Sequence, residues 1–373
     1  MAATPAGSGL VRAVLDRPKA MNALTLDMIR AMRPLVDGWT AEAGVSCVML
    51  EGAGEKAFCA GGDIKLLHGG GQESAVKADQ EAFFREEYDL DFALSRSLER
   101  GAPLVAVCDG ITMGGGVGVS IHAPVRIATE RYVFSMPETA IGLFPDVGGS
   151  FFLPRLPGSV GHCLALTGAR VKGPEAVQLG LATHFVESGD LEALTAELAA
   201  LPAGAGLAGV EEAVGRFAKP TEAPSGLATD AARAAVADVF QPRSGDTVAS
   251  VVDRARAAAA SEAHAALAGR WLKALEGASP TSLCVTHEQL RRGAELSLRD
   301  CFAMELRLAV RFMQRPDFYE GVRAAVIDRD GKPAWSPATV EEVLASGDVD
   351  AFFAPLAGSE LSGGEPLELQ LAE

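Results

Sequence analysis

A chain of 373 residues, 48% hydrophobic and 22% charged, is long enough to bury one large core or two smaller ones. Its 33 basic against 49 acidic residues give a formal charge of -16, a field that repels polyanions and excludes nucleic acid as a general partner. An anionic ligand remains admissible where a few Lys, Arg and backbone N–H groups are placed locally.

Met1 to Leu10 carries no basic n-region followed by an apolar h-region, and no uninterrupted apolar stretch approaches ~20 residues, so a cytoplasmic chain without a membrane span is expected. Val11–Leu15 and Val45–Leu50 are short β-branched apolar runs that read as buried strands. Between them Leu26, Ile29, Met32, Val36 and Trp39 recur at helical spacing, with Thr25 placed as the cap and Pro34 expected to kink or interrupt the helix. Leu104–Cys108 reads as a third strand, followed by Asp109-Gly110 and the run Gly114-Gly115-Gly116. Val125–Ala128 and Tyr132–Phe134 are strand-like and lead into the Gly- and Pro-rich stretch Pro137 to Gly149. Strand, glycine-rich turn and helix recur, which predicts an α/β arrangement.

Pro, Ala and Gly cluster over Leu201–Gly209, a candidate boundary that divides the chain into 1–205 and 206–373. Beyond it, Ala231–Val239, Val251–Trp271 and Cys301–Met313 read as helical, and Leu361–Glu373 as a frayed acidic tail. Cys47, Cys59, Cys108, Cys163, Cys284 and Cys301 form no C-x-x-C pair and read as reduced core thiols.

Lys56 to Ile64 follows the second strand, and its Gly61-Gly62 pair would let a ligand approach main-chain N–H groups. Taken alone, the stretch is more simply explained as a plain turn with Asp63 as helix cap. Ile111 to Gly118 also stands at a strand-to-helix junction; a dinucleotide fingerprint fails there because Val119 holds the third glycine position. Two such turns, each with a free N–H, are what an oxyanion hole needs. Glu138 and Asp146 lie in one apolar stretch, where two acids can have their pKa values pushed apart; a first-turn carboxylate after Pro137 is the ordinary alternative. In Phe83–Tyr88, Phe84 and Tyr88 are expected inward, while Glu87 could face a cleft, with a solvated or Arg85-paired carboxylate as the default. Arg291 stands where a zinc-protease motif starting at His287-Glu288 would need its second His, no G-x-S-x-G elbow occurs, and no metal site is expected.

Arg17-Pro18-Lys19-Ala20-Met21-Asn22-Ala23-Leu24, Ala57–Ile64, Gly110–Gly118 and Pro137–Gly149, in this order, resemble the successive signatures of the enoyl-CoA hydratase/isomerase (crotonase) superfamily. The likeness spans about Leu10 to Val186. Through Phe83–Tyr88, Met136–Gly149, Ser279–Leu283, Asp317–Ala324, Asp328 and Trp335 it extends to a branch that hydrolyses 3-hydroxyacyl-coenzyme A thioesters in valine catabolism. The ends and a stretch around Leu201–Ala260 stand outside it.

The resemblance implies a spiral of ββα units with a helical C-terminal region covering the site. It implies Gly62 and Gly115 as the oxyanion-hole donors, and Glu138 and Asp146 as catalytic acids. Glu87 would contact substrate, while Lys19, Ala20, Ala60, Asp63 and Ile64 would hold the nucleotide end of coenzyme A. No separate cofactor is implied, since coenzyme A is part of the substrate and a product. Family members form trimers, hexamers, dimers or monomers, which leaves a homo-oligomer open. Typical hydratases of the superfamily carry a second glutamate where this chain has Gly118, and a glycine where it has Asp146. That pair of changes favours hydrolysis over one alternative, hydration or isomerisation of an enoyl thioester, and retention of both Glu138 and Asp146 argues against the other, non-catalytic acyl-CoA binding.

Overall fold

The computed structural model describes residues 9–41, 44–69, 71, 78–221, 224–356 and 371. The N-terminal stretch read for a leader, apart from Gly9 and Leu10, lies outside them, as does the tail Leu361–Glu373 apart from Leu371. Among the described residues no helix is long and apolar enough to cross a membrane.

Strand β1 (Leu10–Leu15) is followed by helix α1 (Leu26–Ala41), whose apolar stripe Ile29, Met32, Val36 and Trp39 is buried. The Thr25 hydroxyl accepts the Met28 N–H at 3.2 Å, the cap its position predicts. α1 runs through Pro34, contrary to any interruption there. Pro34 is exposed while Met32 and Val36 on either side are sealed in the core, so packing offsets the lost backbone hydrogen bond.

From β2 (Cys47–Gly52) to the seventh strand the chain alternates between two sheets. β3 (Ala57–Cys59), α2 (Ile64–Gly69), α3 (Ala78–Ser95), β4 (Leu104–Cys108), β5 (Ile111–Met113), α4 (Gly115–Ile121), β6 (Val125–Ala128) and β7 (Val133–Ser135) follow in order. After α5 (Gly149–Phe152) and α6 (Val160–Thr167) come β8 (Val171–Lys172), α7 (Glu175–Gln178) and β9 (His184–Phe185). One sheet has the order β1-β2-β4-β6-β9, all parallel; the other is β3-β5-β7-β8, parallel except for its last pair. Each turn of the chain adds one strand to each sheet, which is the spiral of ββα units.

In β4 every residue is buried, and its side chains alternate between two cores: Leu104, Ala106 and Cys108 face the main core, Val105 and Val107 the outer one. The outer core is closed by α8 (Leu191–Ala199) and α9 (Gly206–Gly215), which contribute Leu194, Leu198, Val210 and Val214. The remaining helices are α10 (Asp230–Phe240), α11 (Val248–Ala259), α12 (Ala265–Gly277), α13 (Pro280–Gly293), α14 (Leu298–Met313), α15 (Pro316–Val322) and α16 (Val340–Ser346). The Ala-rich stretch Val251–Trp271 therefore splits between α11 and α12. Helices α10 to α16 share the main core with the spiral through residues such as Phe240, Trp271, Phe302 and Phe312. All six cysteines are buried and unpaired.

The spiral is tight enough that some glycines are steric requirements. A Cβ on Gly116 would come 2.2 Å from the Cys59 carbonyl oxygen, so α4 and β3 can approach only with hydrogen at that position. Gly116→Ala is expected to destabilise the fold by roughly 1–3 kcal/mol or more through overpacking. The check is the urea midpoint, and an unchanged midpoint would mean that this spacing is not fixed by contact.

Candidate active site

Strands β3, β5 and β7 are neighbours with register Cys59↔Thr112 and Met113↔Ser135, so their C-terminal ends lie side by side. The segments leaving those ends, Ala60–Ile64, Gly114-Gly115 and Pro137-Glu138, meet around one cavity of about 540 Å³. Ligand sites gather at the carboxyl ends of parallel strands for this reason: loops distant in sequence emerge together. The cavity brings together all ten residues expected from the sequence: Lys19, Ala20, Ala60, Gly62, Asp63, Ile64, Glu87, Gly115, Glu138 and Asp146.

Gly62 forms an isolated parallel bridge with Leu24, in which the bonds run from Leu24 N–H to Gly61 O (2.8 Å) and from Asp63 N–H to Leu24 O (2.8 Å). The Gly62 N–H itself takes no part, and the Phe83 ring covers the glycine so closely that a Cβ there would meet it at 2.8 Å. Gly115 is the first residue of α4, where an amide has no acceptor within the helix. Among the described residues neither amide is engaged, so two main-chain donors border the cavity without partners.

Glu138 opens a single 3-10 turn, Glu138–Ile141, closed by Gly142 at φ 70°. Its side chain is 5% exposed, its Oε2 has no partner, and its Oε1 would stand 3.3 Å from a Cβ on Gly114. A buried polar atom left unpaired inside a cavity is a group waiting for a ligand or a proton. Asp146, also 5% exposed, accepts the Tyr88 hydroxyl at 2.9 Å. Glu87, 2% exposed, lies over Gly115, where a Cβ would meet its Oε1 at 2.2 Å. Arg85 pairs with Glu81 instead, which removes the ordinary alternative for Glu87.

Burial raises all three acids. Glu138 and Glu87 stand well above the usual carboxylate range, first by desolvation and then by the charge of Asp146. Asp146 is pushed up to about 6 by desolvation, with the Tyr88 hydrogen bond pulling against it. Behind them Asp91 is also raised, and Glu305 is pushed up to about 8 by burial despite the donors gathered on it. No Lys or Arg among the described residues offsets Glu87, Glu138 or Asp146.

The loop that carries Asp146 is strained. Gly149 N–H bonds to Asp146 O at 2.7 Å across a turn with positive φ at both central residues, 52° at Val147 and 84° at Gly148. Asn-Gly or Gly-Gly suits that geometry; a β-branched residue held there costs about 1–3 kcal/mol.

Sequence reasoning missed several lining residues. Lys65 and Arg329 line the cavity, and among the described residues neither enters an ion pair. Asp63 is partly neutralised by Arg17 at 3.1 Å. Nothing local to Arg329 signals a site, because it arrives from the far C-terminal segment.

The family model of the enoyl-CoA hydratase/isomerase family matches residues 10–353. A relative in Gallus gallus named as a mitochondrial 3-hydroxyisobutyryl-CoA hydrolase is 43% identical over 357 residues, 95% of this chain and 88% of its own length. The Homo sapiens protein of the same name is 42% identical over 352 residues, 93% and 86% of the two chains. Among solved structures, one described as a carnitinyl-CoA dehydratase from Mycobacterium thermoresistibile superposes with a TM-score of 0.82 at 35% identity, covering 96% of this chain and 97% of that one. Another, described as an enoyl-CoA hydratase from Rhodobacter sphaeroides 2.4.1, gives a TM-score of 0.78 at 36% identity and covers 95% and 97%. The expectation of a cytoplasmic location is corrected by these relatives, which are named as mitochondrial. That expectation excluded a secretory leader and a membrane span, and neither bears on entry into an organelle, for which transit peptides are amphipathic and Arg-rich.

Raised carboxyl groups bind protons more tightly folded than unfolded. Asp146, at about 6 when folded, takes up a proton on folding between the ordinary carboxylate value of about 4 and that pH. Its contribution is therefore most favourable below that window and is lost as pH rises through it. In Asp146→Asn the decline of stability from pH 4 to 6 should be shallower, measured by urea unfolding across that range; an identical slope would mean that Asp146 does not titrate there.

Proposed function

The chain belongs to the enoyl-CoA hydratase/isomerase family, and from that premise we propose that its cavity hydrolyses the thioester of 3-hydroxyisobutyryl-coenzyme A, a step of valine catabolism, and takes 3-hydroxypropionyl-coenzyme A as a second substrate. The observation that carries this reading is the unpartnered Oε2 of Glu138, in a cavity shared with Asp146 and bordered by the free N–H groups of Gly62 and Gly115.

The thioester oxygen sits between the two amides, whose fixed dipoles stabilise the charge that develops as the carbonyl carbon becomes tetrahedral. Tyr88 favours the anion of Asp146, which makes Asp146 the readier anion, while burial raises Glu138 well above the usual carboxylate range and favours its protonated form. Transfer of that proton from Glu138 to Asp146 produces a desolvated and strongly basic carboxylate together with an acid. Glu138 then attacks the carbonyl carbon, or takes a proton from a water that does so. The C–S bond breaks, and the thiolate receives the proton from Asp146. On the first route an acyl-enzyme anhydride forms, and water cleaves it to the free acid. Either way water is consumed, and the acid and coenzyme A are released.

Glu87 contacts the acyl group beside Gly115, and Asp146 lies within the same pocket to orient its 3-hydroxyl. Lys19, Ala20, Ala60, Asp63 and Ile64 line the part of the cavity that would take the nucleotide end, with Lys65 and Arg329 as further cations for its phosphates. Coenzyme A enters as part of the substrate, and this chemistry calls on no resident cofactor. Hydration of an enoyl thioester is disfavoured because Gly118 carries no side chain and does not line the cavity. A non-catalytic binder is disfavoured because burying Glu138 without a partner costs stability that binding alone does not require.

Free-thiol release from 3-hydroxyisobutyryl-coenzyme A, set beside loss of conjugated absorbance from crotonyl-coenzyme A, tests the reading directly. Glu138→Gln should lower thiol release by at least about a hundredfold while coenzyme A binding is retained. Wild-type turnover in that variant would remove Glu138 from the mechanism, and faster consumption of crotonyl-coenzyme A than of the hydroxy thioester would replace hydrolysis by hydration.

A further inference from the structure

The turn Asp146–Gly149 is held from outside by groups for which the chemistry above has no use. Glu305, on α14 and fully buried, accepts the Gly148 N–H at 2.7 Å and the Ser150 N–H at 2.9 Å, and also hydrogen-bonds the Ser150 hydroxyl. Gln289, on α13 and equally buried, donates its amide N–H to Pro145 O at 2.6 Å. His122 lies 3.0 Å from Val147 O through Nε2; because a carbonyl can only accept, that nitrogen carries the proton. These contacts bracket Val147, a β-branched residue at φ 52°. Nothing in the local sequence favours that conformation, so it persists only because its neighbours are fixed. Of the fixing groups, Glu305 alone engages both Gly148 and Ser150, the residues that follow the strained one.

We propose that Glu305 is a positioning residue for Asp146: by gathering the Gly148 and Ser150 donors it holds Val147 in the left-handed region and so sets the direction of the Asp146 carboxyl. This rests on the reading of Asp146 as the acid of thioester hydrolysis. Loss of the strap lets the turn relax toward negative φ at Val147. The Asp146 side chain, one residue earlier, then swings away from the Tyr88 hydroxyl and from the leaving sulfur. Glycine at 147 adopts positive φ without strain, so it removes the force that the strap opposes.

The experiment is a double-mutant cycle of Glu305→Gln and Val147→Gly, read by steady-state thiol release and by hydrogen exchange of the peptide containing residues 145–150. Glu305→Gln should lower kcat roughly tenfold to a hundredfold, the scale of an ångström-sized misplacement of a catalytic group, with KM changed less than about threefold. Exchange protection should fall at that peptide. In the Val147→Gly background the same substitution should cost markedly less in kcat. A merely structural role for Glu305 would give equal losses in both backgrounds, and that result overturns the proposal, as does a folded Glu305→Gln variant with wild-type kcat. Should Glu305→Gln fail to fold, Gln289→Leu, which releases the same loop at Pro145, is read in the two backgrounds under the same criteria. If the wild-type chain releases no thiol, the hydrolase reading fails separately. Exchange then decides the strap: deprotection confined to residues 145–150 and reduced by Val147→Gly supports it, and unchanged protection rejects it.

Discussion

Three carboxyl groups, Glu87, Glu138 and Asp146, line one cavity, each almost wholly buried and with no cation among the described residues to offset it. Ionising all three would cost far more than a marginally stable fold can absorb, so the site answers by holding protons. The consequence reaches beyond catalysis. On the proposed reading a chain of formal charge -16 admits a ligand bearing several phosphates, and carboxyl groups raised by burial repel it less than fully ionised ones would. On that reading the leaving thiolate draws on the same protons, so one desolvation effect would serve both entry and turnover. Tyr88 breaks the symmetry by hydrogen-bonding Asp146, which makes one member of the set the readier anion.

Maintaining that set falls largely to the C-terminal helices. Phe312 of α14 stacks on Phe144 with ring centroids 5.4 Å apart, and Phe302 packs beside Tyr88 at 5.6 Å. The α15 backbone presses on the turn after Glu138, where a Cβ on Gly142 would fall 2.2 Å from the Asp317 carbonyl oxygen. Gln289 and Glu305 grip the Asp146 loop itself. The second half of the chain is thus part of the site's scaffold as well as of its lining, through Val326 and Arg329, and it shares one core with the first.

Much of this was legible in the sequence, for a physical reason. Gly61-Gly62 and Gly114-Gly115-Gly116 are costly unless a backbone comes close to something, and the chain brings both turns to the ends of adjacent strands. β4 was readable to the residue because a buried parallel strand is a continuous apolar run, and β6 was readable although Arg126 interrupts its apolar residues. Partners contributed across long separations were not readable. Tyr88 was placed inward but not onto Asp146, and Lys65, Arg329, Gln289 and Glu305 carry no local pattern. Positive φ at Val147 runs against what a β-branched residue prefers, so sequence reasoning would assign it elsewhere. Pro34 likewise shows tertiary packing overriding a local preference.

Gly118 looks from the sequence like a simple deletion of a carboxylate. In the fold it is a packing requirement, since a Cβ there would lie 2.3 Å from Asp91 Oδ2 and 2.7 Å from the Val147 Cβ. Asp91, fully buried with neither oxygen partnered, fills the space a side chain at 118 would enter, and Val147 closes it from the other side. A larger residue at 118 would push directly on the strained turn that aims Asp146. Gly118 and Asp146 are therefore linked through packing: the loop folds down with Asp146 lining the cavity because α4 offers it a bare backbone at 118.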